Sequence, residues 1–129
     1  MAAKPRQAVS GKPELAVEWW HVGQPIPYAQ NPRLPTKSAV AKVATSLQEF
    51  GWRQPIVVDV GGVIVAGHKR LLAAQSLKMD RVPVHVARDL TPAQAKAYRL
   101  MDNRAGEDSE WDLELLASEM ASYRSSRST

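Results

Sequence analysis

Between Pro55 and Leu77 the chain can fold in few ways. Pro55 to Val60 is a β-branched run, Gly61-Gly62 is a turn pair, and Val63 to Ala66 is a second apolar run. Two such runs around paired glycines predict a hairpin. Gly67 then separates the second run from the helix-like stretch Leu71 to Leu77. A residue without a Cβ allows a sharp turn from strand to helix and a close approach of the backbone to a ligand. A helix opening at about His68 has unpaired N–H groups at the positive end of its dipole, and Lys69 and Arg70 add two cations there. Strand, glycine, basic pair and helix in this order predict a phosphate site, on a nucleotide or on a nucleic-acid backbone. The alternative is a plain helix start with two solvated cations.

Similar punctuation organises the rest of the chain. Leu15 to Val22, with Val17, Trp19 and Trp20, predicts a first strand. Pro25, Pro27, Pro32 and Pro35 fall within eleven residues, which excludes a helix and predicts an extended, ordered loop. Val40, Val43, Ala44, Leu47 and Phe50 share one face of a helix over Lys37 to Phe50. Thr36 or Ser38 can cap its start, and Gly51 stops it. Val82 to Ala87 predicts another strand, with Pro83 near its start and His85 facing solvent. Thr91-Pro92-Ala93-Gln94 supplies a cap, a first-turn proline and a polar third position for a helix to about Arg104. Gly106-Glu107-Asp108-Ser109 is expected to break that helix, and Trp111 to Tyr123 predicts a last amphipathic one. The fold class is therefore mixed α/β (α+β), a compact domain with a small mixed sheet flanked by helices. The expected organisation is a disordered basic arm over 1–13, a domain over 14–123 and a disordered tail over 124–129.

Composition narrows the partners. The 129 residues are 44% hydrophobic, enough for one domain with a core. With no cysteine there is no disulfide, thiolate zinc site or thiol nucleophile, which fits a reducing cytoplasm. No apolar run approaches a membrane span, and Met1 to Lys12 has no apolar signal-peptide core. The net charge of +4 is uneven: residues 1–106 hold 15 basic and 7 acidic side chains, and residues 107–129 hold 2 and 6. A basic body with an acidic end suits a polyanionic partner, with a solvated surface as the other reading.

Several side chains are candidates for chemistry. The oxygens of Asp102 and Asn103 suit Mg²⁺ and Arg104 suits phosphate, although the same residues would also cap a helix end. Arg33, in Asn31-Pro32-Arg33, can reach a phosphate or a base from a rigid loop, or simply belong to a turn. Gln54 can offer hydrogen bonds to a base or ribose. His21, His68 and His85 lack metal-ligand spacing, so a zinc site is not expected. Trp19, Trp20, Trp52 and Trp111 can stack bases, but packing is the default for each.

In order along the chain, Pro27-Tyr28-Ala29-Gln30-Asn31-Pro32-Arg33, Phe50-Gly51, Gln54-Pro55-Ile56-Val57-Val58, Ala66-Gly67-His68-Lys69-Arg70-Leu71-Leu72-Ala73-Ala74, Val82-Pro83-Val84 and Ala97-Tyr98-Arg99-Leu100-Met101-Asp102-Asn103-Arg104 resemble the ParB-like nuclease domain of the ParB/sulfiredoxin superfamily. The resemblance covers about residues 14–117, and the forms carried by phages, plasmids and DNA-modification proteins look most similar. It implies a pocket for CTP or ATP with Mg²⁺. Gly67, His68, Lys69 and Arg70 match the phosphate loop, and Arg33 and Gln54 match neighbours of the nucleotide. Asp102 and Asn103 match an acid–asparagine pair that holds Mg²⁺. Asp102 would orient an attacking water, and Arg104 with Arg33 would complete the phosphate clamp.

The resemblance thus implies a nucleotide-binding domain that associates with DNA through backbone contacts, as an Mg²⁺-dependent NTPase where it is enzymatic. The alternatives are a metal-dependent DNA nuclease and a non-catalytic DNA- or protein-interaction module. A homodimer or a fusion to a larger DNA-acting protein is the implied context, in the cytoplasm and off the membrane. Sulfiredoxin needs a cysteine where this chain carries His68, so sulfinic-acid reduction is not expected. The Gly-Glu-Arg-Arg of ParB is Gly-His-Lys-Arg here, and Asp102 is one methylene shorter than the family's Glu. The segment after Arg104 is too short for ParB's helix-turn-helix and dimerisation domains, so neither is expected within it.

Overall fold

The computed structural model describes residues 15–29, 34–108 and 113–127, and within these 103–108, 113, 114, 116 and 127 by backbone alone. Four strands, β1 (Glu18–His21), β2 (Ile56–Val58), β3 (Ile64–Ala66) and β4 (Arg81–Val86), form one sheet in the order β1-β4-β2-β3. β4 runs antiparallel to β1 and parallel to β2, and β2 and β3 form the hairpin. The helices are α1 (Lys37–Phe50), α2 (His68–Ser76), α3 (Pro92–Asp108) and α4 (Leu113–Arg127). The chain divides into two compact units, Met1–Arg99 and Leu100–Thr129, with α3 rooted in the first. The mixed α+β class is the expected one.

Local chemistry accounts for the element ends. Thr36 Oγ1 accepts the Ala39 N–H at 3.0 Å to open α1, and the Gly51 N–H closes it on the Leu47 carbonyl at 2.9 Å. Thr91 and Gln94 form a reciprocal capping box at the start of α3, with bonds of 2.9 and 3.1 Å. Asp59 shapes the hairpin: its Oδ1 accepts the N–H groups of Gly61 and Val63 at 2.9 and 3.0 Å. Pro83 lies opposite Trp19, one residue before β2 joins the ladder at Val84, where a missing N–H disturbs the sheet least.

The core forms where α2 meets the sheet. Ile56, Val58, Ile64, Val82, Val84 and Val86 pack with Leu71 and Ala74, and Trp20 closes the periphery. A second cluster joins Ala44 and Leu47 of α1 to Ala73 of α2. Trp52 and Met79 touch both clusters. α2 therefore stands between the sheet and α1, held by packing on two sides.

Several expectations need correction. β1 is shorter than Leu15 to Val22, because Leu15 and Val17 stay exposed and outside the ladder. Phe50 shares the helical face of Leu47 but ends 41% exposed. His85 does not face solvent: it is 9% exposed, and its Nδ1–H donates to the Ala16 carbonyl at 2.9 Å. β4 is an inner strand paired on both edges, and the segment before β1 covers the face where alternation alone predicts water. α3 does not break near Arg104 but continues through Gly106 to Asp108; one glycine lowers helix stability by only about 1 kcal/mol. α4 runs to Arg127, past the expected end at Tyr123.

Leu71, 1% exposed, is the α2 side chain sunk in the sheet cluster. Leu71→Ala is expected to cost about 2–5 kcal/mol. It should appear as a lower urea midpoint at unchanged m-value.

Candidate phosphate-binding site

The hairpin ends one residue before Gly67, and α2 begins one residue after it. Gly67 has φ +103° and ψ 20°, the left-handed conformation. A Cβ built there would stand 3.2 Å from the Ile56 Cα and 2.8 Å from Arg70 Nη1. The close approach and the backbone angle both call for glycine. The first helical bond of α2 runs from the Leu71 N–H to the Gly67 carbonyl at 3.1 Å. The N–H groups ahead of it form the helix start, and glycine offers no side-chain cap there. The turn thus presents backbone donors at the positive end of a nine-residue helix.

Arg70 folds back over this turn, and its Nη2 donates to Gln54 Oε1. Gln54 precedes β2, the strand against which Gly67 packs. The structure therefore brings together Gly67, Arg70 and Gln54, which lie up to sixteen residues apart in sequence. Lys69 is exposed on the same first turn. His68 is half-buried, its Nδ1 has no hydrogen-bond partner, and burial holds its imidazole below the ordinary 6.5. A neutral ring fits a loop whose charge comes from Lys69 and Arg70.

The other candidates are placed differently. Arg33, with Asn31 and Pro32, lies outside the described residues. Asp102 is exposed on α3 within the second unit, and Asn103 and Arg104 follow it with side chains outside the described residues. All three lie inside α3 rather than at its end, so they do not cap a helix terminus. Among the described residues no three His, Asp or Glu side chains gather as a metal cage. Mg²⁺ commonly binds through one or two carboxylates plus phosphates and water, and the exposed Asp102 carboxylate suits that mode. Trp20 and Trp52 are packing residues, Trp19 is 55% exposed, and Trp111 lies outside the described residues.

Sequence reasoning missed a buried cluster behind the hairpin. Arg99 is 8% exposed; its Nε donates to the Ile64 carbonyl at 2.9 Å, and its Cζ lies 4.0 Å from the Tyr28 ring centroid. Its Nη2 stands 3.6 Å from Asp59 Oδ2. Periodicity cannot separate a buried arginine from a solvated one on the same helix. The nearest available signal was its place within the run Ala97 to Arg104.

Comparison with known proteins adds four findings. The model of the ParB N-terminal domain family matches residues 24–104. The ParB-like nuclease domain-containing protein YnaK of Escherichia coli (strain K12) is 47% identical over 68 residues, which is 53% of this chain and 78% of that relative. The C-terminally truncated chromosome-partitioning protein ParB of Caulobacter crescentus, complexed with CTP-γ-S, aligns with a TM-score of 0.63 at 23% identity. That alignment covers 81% of this chain and 61% of that one, so this chain spans less than two thirds of that ParB. Sulfiredoxin of Arabidopsis thaliana aligns at 0.53 and 17% identity over 64% of this chain and 96% of that one. The two alignments establish a shared fold.

Gly67→Ala is expected to destabilise the protein by about 1–3 kcal/mol. An unchanged urea midpoint would show that this backbone can leave the left-handed region. For His68 the folded pKa is lowered, so the unfolded chain binds more protons. Its contribution is whole above 6.5 and is lost as pH falls through the folded value. Between neutral pH and the folded value, the urea midpoint of wild type should therefore fall more steeply than that of His68→Gln.

Proposed function

We propose that this chain, which belongs to the ParB N-terminal domain family, binds a nucleoside triphosphate, CTP or ATP, on the Gly67 turn and associates with DNA. The observation that carries the reading is the Gly67 turn itself. A left-handed glycine packed on Ile56 opens an uncapped helix, with the Arg70 guanidinium drawn across it by Gln54. The CTP-γ-S bound to the Caulobacter relative supports the ligand class.

In this reading the backbone N–H groups of the first turn hold phosphate oxygens, and Lys69 and Arg70 neutralise their charge. The bond from Arg70 to Gln54 orients the guanidinium fork before ligand arrives, so less side-chain freedom is lost on binding. Gln54 retains an amide NH₂ to donate to a base or ribose. The absence of a side chain at Gly67 lets the phosphates reach the backbone. Arg33 would add a further cation for phosphate. Asp102 and Asn103 carry oxygens of the kind that would hold Mg²⁺, an ion that supplies charge neutralisation to a nucleoside triphosphate, and Asp102 would accept a hydrogen bond from water.

DNA association draws on the basic first unit, where Lys37, Lys42, Arg53, Lys69, Lys78, Arg81, Arg88 and Lys96 are all exposed. Among the described residues no helix is long and apolar enough to cross a membrane, and the proposed setting is the cytoplasm. The name of the E. coli relative includes a nuclease domain; such an activity in this chain would depend on Asp102.

Isothermal titration with CTP, ATP and GTP in the presence of Mg²⁺ tests the reading. At least one nucleotide should bind, and Arg70→Ala should weaken it by at least about tenfold, the loss of one charge-assisted phosphate contact. Absence of heat with all three, at protein concentrations above 100-fold the range of a weak site (on the order of 10 μM), would remove it.

A further inference from the structure

β3 is three residues long and lies at the edge of the sheet. An edge strand needs partners for its outward backbone groups. Ile64 takes both from outside the sheet. Its N–H donates to the Ile26 carbonyl at 2.8 Å, and its own carbonyl accepts from Arg99 Nε at 2.9 Å. Two residues beyond Ile26, the Tyr28 ring stacks with the Arg99 guanidinium. The contacts close a ring: Ile64 to Ile26, along the chain to Tyr28, across to Arg99 and back to Ile64.

Arg99 also faces Asp59, whose carboxylate builds the hairpin turn. One guanidinium therefore touches the hairpin, the edge strand and the proline-rich segment. It does so at a cost in stability. Arg99 is nine-tenths buried, its Nη2 makes no hydrogen bond, and its ion pair with Asp59 is long. An apolar side chain would fill the same space without that penalty, so the charge and the flat fork serve geometry rather than core packing.

The phosphate site grows out of this ring. β3 runs from Ile64 to Ala66, and Gly67 follows it directly. The β2–β3 register shifts between Val57 and Val58, so the ladder with β2 is irregular just before Gly67. Proline residues on both sides of Ile26 stiffen the segment that presses on β3 from the other edge.

We propose that Arg99 is the positioning residue of the phosphate site: stacked on Tyr28 and bonded to Ile64, it sets where β3 delivers Gly67, without touching the nucleotide. The binding arm of the test rests on the nucleotide reading above, and the exchange arm does not.

Hydrogen exchange of the ligand-free protein is followed in peptides 24–29 and 62–70 for wild type, Arg99→Met, Tyr28→Leu and the core control Val82→Ala. Each is measured equally far below its own Tm. Arg99→Met and Tyr28→Leu should speed exchange in both peptides about tenfold, as local opening becomes easier, and Val82→Ala should not. Arg99→Met should also weaken nucleotide binding about tenfold, whereas Val82→Ala keeps the wild-type Kd. Unchanged exchange overturns the proposal even if nucleotide binds, and so does faster exchange with a wild-type Kd. Faster exchange in a protein whose wild type binds no nucleotide overturns the nucleotide reading and leaves Arg99 as the residue that positions the turn. Should Arg99→Met fail to fold, Arg99→Lys, which lacks the planar fork, carries the same comparisons.

Discussion

The contact between Gly67 and Ile56 is the constraint on which the site end of the first unit depends. At that point β3 must end, α2 must begin, and the backbone must lie against the start of β2. Glycine suits this point, since φ is +103° and a Cβ would come within 3.2 Å of the Ile56 Cα. Once the turn is made, Leu71 and Ala74 fall onto the sheet and Ala73 faces α1. The helix start that results carries Lys69 and Arg70. Packing and the proposed anion recognition are thus two consequences of one backbone conformation.

The sheet explains why the turn holds its place. β4 is inner, paired on both edges and buried over residues 82–86, and it provides the rigid middle. β3 is the opposite case, a short edge strand whose outward groups are taken by Ile26 and by the Arg99 guanidinium. Burying a charge that is only partly matched lowers stability. It also fixes direction, because a planar fork bonded at one nitrogen and stacked on a ring has little freedom left. The site is therefore braced by the core below and by a polar contact behind.

Much of this was readable from residue order. The helix over Lys37 to Phe50, its Thr36 cap and its Gly51 stop follow from side-chain chemistry acting over one turn, and all appear as expected. The Gly61-Gly62 hairpin and the strand–glycine–helix passage at Gly67 are equally local. Failures occurred where distant segments decide. His85 is buried because the segment before β1 lies across it, which no period-two pattern can report. The end of α3 is a local exception: it outlasts Gly106 because a single glycine weakens a helix without breaking it. Arg99 was passed over because its partners Tyr28, Asp59 and Ile64 are remote in sequence.

By itself, then, the sequence determined the class of fold, the punctuation of its elements and the residue types at the Gly67 turn, since propensity, capping and glycine conformation act within a few residues. Tertiary structure decided which of those residues meet. It joined Gln54 to Arg70 across the turn, set Gly67 on Ile56, and braced β3 with a buried arginine. These are contacts between segments, and their energies depend on burial and on backbone groups left without a strand partner, neither of which exists until the chain has folded.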